Sequence, residues 1–417
     1  MKHLIIHNVG PIIEVDIELK RFNFIIGPQS SGKSTVAKIL STCEWIEKEV
    51  ETTRNEHAIG NGENYRTLVE GFHKMEDYFD QGKESFVSYS TDFIEICYEH
   101  KELKVHLKRE VPYHRQKICY IPAERNMVTL PELKGFEFNT TNLRSFLFDW
   151  YRAREYYTPQ NKTNVLELGV QYYFDAEMAT KNDRIQHVNG QSYDISLSNS
   201  SSGLQSLTPL LVMLQYYTDQ YFQEYDFKNS FEQNSKSKQL RLALTREVAL
   251  SQYKPDFKEE EVAQLVKQFN EALHRNDKRA EEIFRSYEEA CDRLLIPNRT
   301  TFIIEEPEQN LYPFTQVALI EAVIKLCSNG RKHGCTITTH SPFVLNYLNV
   351  LIARYYKNVA DAVKLDPMEL GVFGTNDGRL SDLMQYNPKT GENSVNAEDL
   401  VEAMRDMYTQ YRQIREM

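Results

Sequence analysis

The sequence lacks any apolar run that approaches the roughly 20 residues needed to cross a bilayer, so it predicts no membrane span. Cysteine is scarce and no Cys-x-x-Cys pair occurs, which argues against a disulfide framework or a zinc site. A reducing, cytoplasmic location fits this pattern. The amino terminus, Met1–Ile6, reaches the polar pair His7-Asn8 after a short apolar segment. It is therefore predicted to be a strand rather than a signal peptide.

Positive charge is also in deficit, because 49 Lys and Arg residues face 60 Asp and Glu residues, for a formal net charge of −11. Phosphate contacts dominate the affinity of nucleic-acid-binding proteins, so this balance gives no support for such a function. Contact with DNA through a local patch stays open. The chain has 417 residues, 41% of them hydrophobic and 26% charged. These values predict a globular protein of two or three domains.

Apolar patterning predicts an α/β organisation along the chain. Three short strands fill the first 26 residues, and from Ser34 apolar residues recur at helical spacing. Residues 61–80 are predicted to form a second helix, and residues 85–121 four strands, the first three of them antiparallel. Residues 142–157 are predicted to be helical. Asn189-Gly190 marks a hairpin within residues 183–197.

Two further segments, residues 223–298 and the part after Met368, have patterns of their own. Residues 223–298 carry two apolar stripes at helical spacing, with Glu and Lys between them, which predicts an insertion of two or three helices. After Met368 we expect a short strand, a turn at Asn376-Asp377-Gly378 and a final helix from Ala397.

Residues 27–34 read Gly-Pro-Gln-Ser-Ser-Gly-Lys-Ser and match the G-x-x-x-x-G-K-S phosphate loop. In that loop, backbone N–H groups surround phosphates at a helix N-terminus. Lys33 is expected to reach the outer phosphates and assist catalysis, and the Ser34 hydroxyl to ligate Mg²⁺. An ordinary strand–turn–helix is the alternative, but this loop follows an apolar strand and opens an amphipathic helix, as the motif requires. The candidate phosphate-binding residues are Gly27, Pro28, Gln29, Ser30, Ser31, Gly32, Lys33, Ser34 and Thr35.

A second candidate feature is the apolar run 301–304, which ends in the adjacent carboxylates Glu305 and Glu306. Neighbouring side chains on a strand point to opposite sides, so the two carboxylates are expected to take different roles. We assign Glu305 to Mg²⁺, through water, and Glu306 to polarising the attacking water. A solvated strand end is the alternative.

A serine-rich turn supplies a third feature, since Ser202-Gly203 precedes a predicted helix and offers another anion-binding N-terminus. A simple helix cap is the alternative. A second phosphate cradle would be redundant within one site, and this redundancy is resolved if Ser202 and Gly203 serve the γ-phosphate of a neighbouring subunit.

Finally, His340 follows the predicted strand 335–338, and we expect it to contact the γ-phosphate or the attacking water. A structural histidine is the alternative there.

In this order the motifs resemble those of the ABC-type ATPase superfamily. Several segments narrow the resemblance to the OLD-family ATPases, which include the ATPase subunits of anti-phage systems such as Septu and PARIS. The segments that carry this resemblance are Asn8–Ile12, Ile26–Thr35, Ile121–Arg125, Ile304–Glu308 and Leu311–Pro313. Two departures stand out. Glu305 replaces the usual Asp, and residues 123–127, at the place of the glutamine loop, contain no Gln, so Glu124, Arg125 or Asn126 would substitute for it.

The resemblance implies an ABC-type P-loop ATPase head with a mixed sheet, an antiparallel β-subdomain and an α-helical insertion. Residues 1–222 would form the N-terminal part of the ATPase domain, 223–298 the insertion, and 299–417 the C-terminal part. It also implies a homodimer or higher homo-oligomer with head-to-tail ATP sites, and ATP and Mg²⁺ as cofactors. ATP is favoured over GTP because residues 161–164 lack the Asp of the guanine-reading motif.

OLD nucleases carry a Toprim domain after the ATPase, whereas no Asp-x-Asp follows His340 in this sequence. We therefore expect no nuclease within the chain. The leading hypothesis is a cytoplasmic ATPase subunit whose ATP-dependent assembly controls a separately encoded effector, expected to be a nuclease, in anti-phage defence.

Three alternatives stay open to different degrees. A scaffold that uses ATP to sequester a toxic partner would share the same site. An SMC-like DNA-repair ATPase would need long coiled-coil arms before the signature, whereas this insertion follows it. In transporter ATPases the signature and the acidic strand lie close together in sequence, whereas here the insertion separates them.

Overall fold

The computed structural model describes residues 2–130, 141–178, 182–190, 192–225 and 231–416. The strands are β1 (Lys2–Val9), β2 (Ile12–Leu19), β3 (Phe22–Ile26), β4 (Phe86–Ser90), β5 (Ile94–Glu99), β6 (Glu102–Leu107), β7 (Gln116–Ile121), β8 (Thr163–Asn164), β9 (Val170–Phe174), β10 (Asp183–His187), β11 (Tyr193–Ser196), β12 (Arg299–Glu305), β13 (Gly334–Thr339), β14 (Leu370–Asn376), β15 (Arg379–Asp382), β16 (Met384–Asn387) and β17 (Glu392–Val395). The helices are α1 (Lys33–Thr53), α2 (Gly62–His73), α3 (Asn142–Arg154), α4 (Ser202–Gln215), α5 (Tyr221–Glu224), α6 (Phe231–Leu244), α7 (Ser251–Tyr253), α8 (Val262–His274), α9 (Lys278–Leu295), α10 (Pro313–Cys327), α11 (Pro342–Tyr356) and α12 (Glu398–Glu416).

The main sheet has eleven strands within the described residues, in the order β6-β5-β4-β1-β2-β15-β14-β3-β13-β12-β7. Strands β14, β3, β13, β12 and β7 are parallel, whereas β1, β2, β4, β5 and β6 pair antiparallel. Every residue of β3 is buried, as expected for a parallel strand covered on both faces. A smaller antiparallel sheet joins β8 to β11. The predicted α/β class, with a mixed sheet, an antiparallel part and a helical segment, is confirmed.

Two apolar cores cover the two faces of the sheet, and alternate residues of one strand reach different cores. Phe302 and Ile304 face the core that contains α4, α10 and α11, whereas Ile303 faces the core that contains α1. This alternation follows from the two-residue period of a strand. Because β3, β13 and β12 are adjacent and parallel, their carboxyl ends meet at one edge of the sheet, between α1 and the helices of the other face.

Two sequence-based expectations need correction. The helix predicted over 61–80 ends at His73, where Lys74 adopts a left-handed conformation with φ 53°, and residues 74–80 form a loop. After Met368 the structure contains four strands rather than one. β14 is buried along Leu370–Phe373 and lies beside β3 near the middle of the sheet, a long-range pairing that local pattern does not reveal.

The segment 231–295 is predominantly helical, as predicted for the insertion, and residues 226–230 of that prediction lie outside the described residues. Leu265, Phe269 and Ile283 are buried as expected. Phe284, which belongs to the second apolar stripe together with Ile283, is 37% exposed. The helical segment contacts the last turn of α1, where Arg54 donates to Glu247 at 3.0 Å. The domain boundaries themselves remain a prediction.

Candidate functional site

The phosphate loop connects the end of β3 to the start of α1, and two glycines fit it to its surroundings. A Cβ on Gly27 would lie 1.9 Å from the Thr375 hydroxyl oxygen on β14. A Cβ on Gly32, which has φ +97°, would lie 2.2 Å from the Ile12 side chain. At Gly27 a side chain would also meet the Thr375 backbone oxygen at 2.8 Å, and at Gly32 the left-handed φ would strain any other residue. The loop is thus shaped by contacts from β2 and β14, which are distant in sequence.

Lys33 is the first residue of α1 and is buried. Its Nζ donates to the backbone oxygens of Gly27 at 3.0 Å and Pro28 at 2.6 Å. Burial lowers the pKa of this amine, and the carboxylates of Glu306 and Glu308 oppose the shift. The ammonium group therefore lies over its own loop, as required of a cation that is to meet phosphate oxygens there.

Ser34 and Glu305 form the candidate metal position. The Ser34 hydroxyl donates to one carboxylate oxygen of Glu305 at 3.0 Å, and the Tyr120 hydroxyl donates to the other. Burial raises the pKa of Glu305, while the hydrogen bond from Tyr120, the charge of Lys38 and the hydrogen bond from Ser34 lower it. A hydroxyl and a carboxylate oxygen are donors that suit Mg²⁺. Among the described residues no group of three or more His, Cys, Asp or Glu could hold a metal.

Glu306 and His340 lie together beyond the strand ends. Glu306 adopts a left-handed conformation with φ 45°, and its amide donates to the Thr338 oxygen at 2.9 Å. Its carboxylate lies 3.4 Å from His340 Nε2, and both side chains are partly exposed. The two carboxylates do diverge, but the physical reason differs from the predicted strand alternation. β12 ends at Glu305, and the backbone turn at Glu306 redirects the second carboxylate.

These groups line one open pocket of about 190 Å³. Its lining residues are Pro11, Gln29, Ser30, Ser31, Gly32, Lys33, Ser34, Thr35, Tyr78, Glu306 and His340. Of these, Pro11 and Tyr78 were missed, because nothing in the local pattern connects the loop 74–80 with residues 27–34. Tyr78 adds a partly buried aromatic ring suited to stacking. Two larger open grooves, of about 540 and 350 Å³, contain none of the predicted site residues.

Ser202 and Gly203 begin α4 and do not line this pocket. Ser201 caps the helix, accepting from the Leu204 amide at 3.4 Å, and Ser202 is exposed. A Cβ on Gly203 would lie 3.0 Å from the Asn310 oxygen, so the first turn of α4 packs against the loop that follows Glu306. The structure therefore brings the phosphate loop, Glu305, Glu306 and His340 together, and leaves Ser202 and Gly203 outside.

The three residues considered for the glutamine-loop position lie on a short 3-10 helix, Ala123–Thr129. Glu124 and Asn126 are exposed, whereas Arg125 is fully buried. Its guanidinium donates to the backbone oxygens of Ser206, Glu305 and Glu306 at 2.8 to 2.9 Å. Burial lowers its pKa to about 10, which still leaves it charged at neutral pH. Arg125 therefore does not face the pocket.

No protein-family model and no curated protein sequence matches the chain. Among solved structures it is similar to the SMC head domain from Thermotoga maritima, with 9% identity over 91% of this chain and 97% of that one and a TM-score of 0.37. The recombination mediator protein RecF is 11% identical over 91% and 97%, with a TM-score of 0.31. A dimeric ATP-binding cassette in a post-hydrolysis state bound to ADP and Pi is 11% identical over 92% and 100%, with a TM-score of 0.28. None of the described helices is long and apolar enough to span a membrane.

Proposed function

We propose that the chain is an ATP-binding and ATP-hydrolysing subunit of the ABC type, in which two neighbouring subunits complete each nucleotide site. The observation that carries the proposal is the single pocket that joins Lys33, Ser34, Glu306 and His340, with Glu305 hydrogen-bonded to Ser34 behind it. A phosphate cradle, a metal-type donor pair and a carboxylate beside a histidine are the parts that phosphoryl transfer to water requires.

Each side chain has a role that follows from its position. The loop amides and the first turn of α1 bind phosphate oxygens, and Lys33 exchanges its carbonyl partners for the outer phosphates. Mg²⁺ would be held by the Ser34 hydroxyl and, through water, by Glu305, and it supplies neutralisation of phosphate charge. Glu306 accepts a proton from the attacking water. His340 orients Glu306 and donates toward the γ-phosphate.

The remaining part of each site comes from a second copy of the chain. Ser202 and Gly203 are at a helix N-terminus, where backbone N–H groups and the helix dipole favour an anion, and they lie outside the chain's own pocket. A head-to-tail homodimer, or a larger ring of the same contacts, would place them on the γ-phosphate of the neighbour. ATP binding would then promote assembly.

The biological part of the proposal is that this assembly controls a separately encoded effector, a nuclease, in bacterial anti-phage defence within the cytoplasm. It rests on the sequence resemblance to the OLD-family ATPases. One structural feature supports a link to a partner. The helical segment 231–295 contacts the last turn of α1 through Arg54 and Glu247, so a protein bound to that segment would be connected to the helix that carries the phosphate loop.

The chemical proposal is tested with Glu306→Gln, which keeps the side-chain size and removes the proton acceptor. Turnover should fall at least about 100-fold, while ATP binding, measured by equilibrium titration, is retained. Glu102→Gln, at a side chain 72% exposed on β6, is the matched control and should behave as wild type. Absence of ATP binding by the wild type, or unchanged turnover in Glu306→Gln, would contradict the proposal.

The biological proposal is tested by co-expressing the chain with the products of its neighbouring genes. We expect a nuclease to copurify with the wild type, and phage plating to drop in cells that carry both genes. Lys33→Ala should abolish protection because assembly requires bound ATP. Protection that survives Lys33→Ala would contradict this part of the proposal.

A further inference from the structure

The guanidinium of Arg125 is fully buried, and every hydrogen-bond partner that it has within the described residues is a backbone oxygen. Arginine has five N–H donors in a rigid planar fork, and here five carbonyl oxygens from three separate segments receive them. The acceptors are Ser206 at 2.9 Å from Nε, Glu305 at 2.9 Å and Pro122 at 3.4 Å from Nη1, and Glu306 at 2.8 Å and Pro307 at 3.3 Å from Nη2. A buried cation without hydration depends entirely on such acceptors.

The segments that Arg125 joins belong to different parts of the proposed nucleotide sites. Residues 305–307 contain Glu306, which acts in the chain's own pocket. Ser206 belongs to α4, whose first turn carries Ser202 and Gly203 for the neighbouring pocket. Movement of either segment away from the other would leave part of the guanidinium unpaired in a dry environment, which is costly.

A second contact joins the same two segments nearby. The Asn310 side-chain amide donates to the Ser206 hydroxyl at 3.1 Å. The Asn310 backbone oxygen also lies close to Gly203, since a Cβ added to Gly203 would be only 3.0 Å from it. The loop that follows Glu306 is therefore in contact with the first two turns of α4. Together, the contacts of Arg125 and Asn310 fix the position of the loop 306–310 relative to the first two turns of α4.

We infer that Arg125 is a positioning residue that couples the two nucleotide sites to which one subunit contributes. The inference rests on the proposed function. A γ-phosphate bound at Ser202 of one subunit fixes α4, and Arg125 transmits that position to Glu306 of the same subunit, which belongs to the other site. Occupation of one site thereby prepares the second for hydrolysis, and turnover depends cooperatively on ATP concentration. Arg125 itself contacts no nucleotide.

The test is steady-state ATP hydrolysis by Arg125→Lys, which keeps the charge but cannot reach both segments at once. We expect kcat to fall about tenfold, as for a displaced catalytic group. The Hill coefficient should fall from above 1 to 1, with the ATP concentration at half-maximal rate changed less than about twofold. Arg184→Lys is the matched control, because Arg184 pairs with Asp194 away from the pocket. It should leave all three values unchanged.

Asn310→Ala provides a second variant that leaves the buried Arg125 intact. If Arg125→Lys fails to fold, Asn310→Ala still tests whether the contact between the loop after Glu306 and α4 couples the two sites. It should lower the Hill coefficient in the same way. In the double variant the losses should be less than additive, because both residues hold the same contact. A wild type with a Hill coefficient of 1, or variants that fold and keep kcat and cooperativity, would overturn the inference. ATP turnover that is absent in the wild type would instead contradict the proposed function itself.

Discussion

Two helix starts in this chain share the sequence Ser-Ser-Gly, at residues 30–32 and 201–203, but have different surroundings. The first turn of α1 carries Gly32-Lys33-Ser34, and the first turn of α4 carries Ser202-Gly203. At α1, Lys33 is buried over loop carbonyls and Ser34 is bonded to a carboxylate. At α4, Ser202 is exposed and outside the pocket. Both can bind an anion through free N–H groups, but α1 alone has a cation and carboxylates beside it.

If two subunits share each site, as proposed, this comparison assigns different roles to the two helix starts. The chemistry is pre-organised at α1, where folding has already positioned the charged groups. Under the proposed function, the contribution of α4 would be a helix N-terminus that binds the phosphate of a nucleotide held by another subunit. Variants on the two sides should therefore differ in whether they affect binding by the pocket or turnover after assembly.

The largest effect is expected for Lys33→Ala, on the α1 side. The variant removes the charged donor to the outer phosphates, and charge-assisted hydrogen bonds are the strongest class. The ATP dissociation constant should rise about 100-fold, as measured by equilibrium binding. Lys104→Ala, at a side chain 77% exposed, is the control. Equal ATP affinities in Lys33→Ala and Lys104→Ala would show that Lys33 does not contribute to ATP binding at the start of α1.

Ser202→Arg should have the next largest effect, on the α4 side. A bulky side chain at the first turn would block a neighbour's phosphate, so turnover should drop roughly 30-fold while ATP binding to the pocket changes less than about twofold. Binding and hydrolysis are measured on the same preparation. A matching loss of ATP affinity would mean that Ser202 acts in the pocket of its own subunit.

Mixing the two defective chains sharpens this test. Co-expressed Lys33→Ala and Ser202→Arg subunits can form heterodimers with one intact site, which sets an upper limit of about a quarter of wild-type turnover for random head-to-tail pairing. The recovery should be smaller if an occupied second site is needed to prepare the intact one. Each variant alone should stay at its own low rate. Absence of recovery in confirmed heterodimers would argue against sites shared between subunits.

Tyr120→Phe is expected to change pH dependence more than the maximal rate. The Tyr120 hydroxyl lowers the pKa of Glu305, whereas burial raises it. Loss of the hydroxyl should therefore let Glu305 take up a proton at a higher pH, so the acidic limb of the pH–rate profile moves to higher pH. The rate on the plateau should remain close to wild type. Tyr193→Phe, at an exposed side chain, should leave the profile in place.

The smallest effect is expected for Ser201→Ala, which removes the cap of α4. The cap bond is 3.4 Å long, and its loss should reduce the free energy of unfolding by about 0.5 to 1 kcal/mol. Thr141→Ala is a close match, because Thr141 caps α3 at the same distance. Denaturant unfolding should give similar losses for both. Only Ser201→Ala should also slow ATP turnover, by about twofold, because the α4 turn frays.

The sequence was sufficient to predict the elements that carry the site, since β3, α1, β12 and β13 each have a clear local pattern. The residues that line the pocket, apart from Pro11 and Tyr78, were all named as site residues from the sequence, whereas Gly27, Pro28 and Glu305 were named and do not line it. The roles of these residues stay a prediction. Long-range contacts were not predictable. The contact of Gly27 with Thr375 depends on the pairing of β14 with β3, and the spacing of apolar residues in the sequence does not predict that pairing.

Arg125 illustrates the same limit in chemical terms. In the sequence Pro-Ala-Glu-Arg-Asn, the arginine has the same local signal as its two polar neighbours, although those are exposed and it is fully buried. Its burial depends on carbonyl oxygens supplied by residues 206 and 305–307, which become neighbours only in the folded sheet. Local propensity carries no information about acceptors so far away in the chain.

The pairing of β14 with β3 also has a consequence for how the protein is made. The phosphate loop is synthesised well before β14, but Gly27 contacts Thr375, and the Thr375 hydroxyl is hydrogen-bonded to Ser31 and to the backbone oxygen of Ile26. Until residue 376 has left the ribosome, β3 has an unpaired edge on that side. A chain that lacks residues 370–376 therefore holds the phosphate-loop motif without this support, and the loop is expected to reach its folded conformation only after β14 has been synthesised.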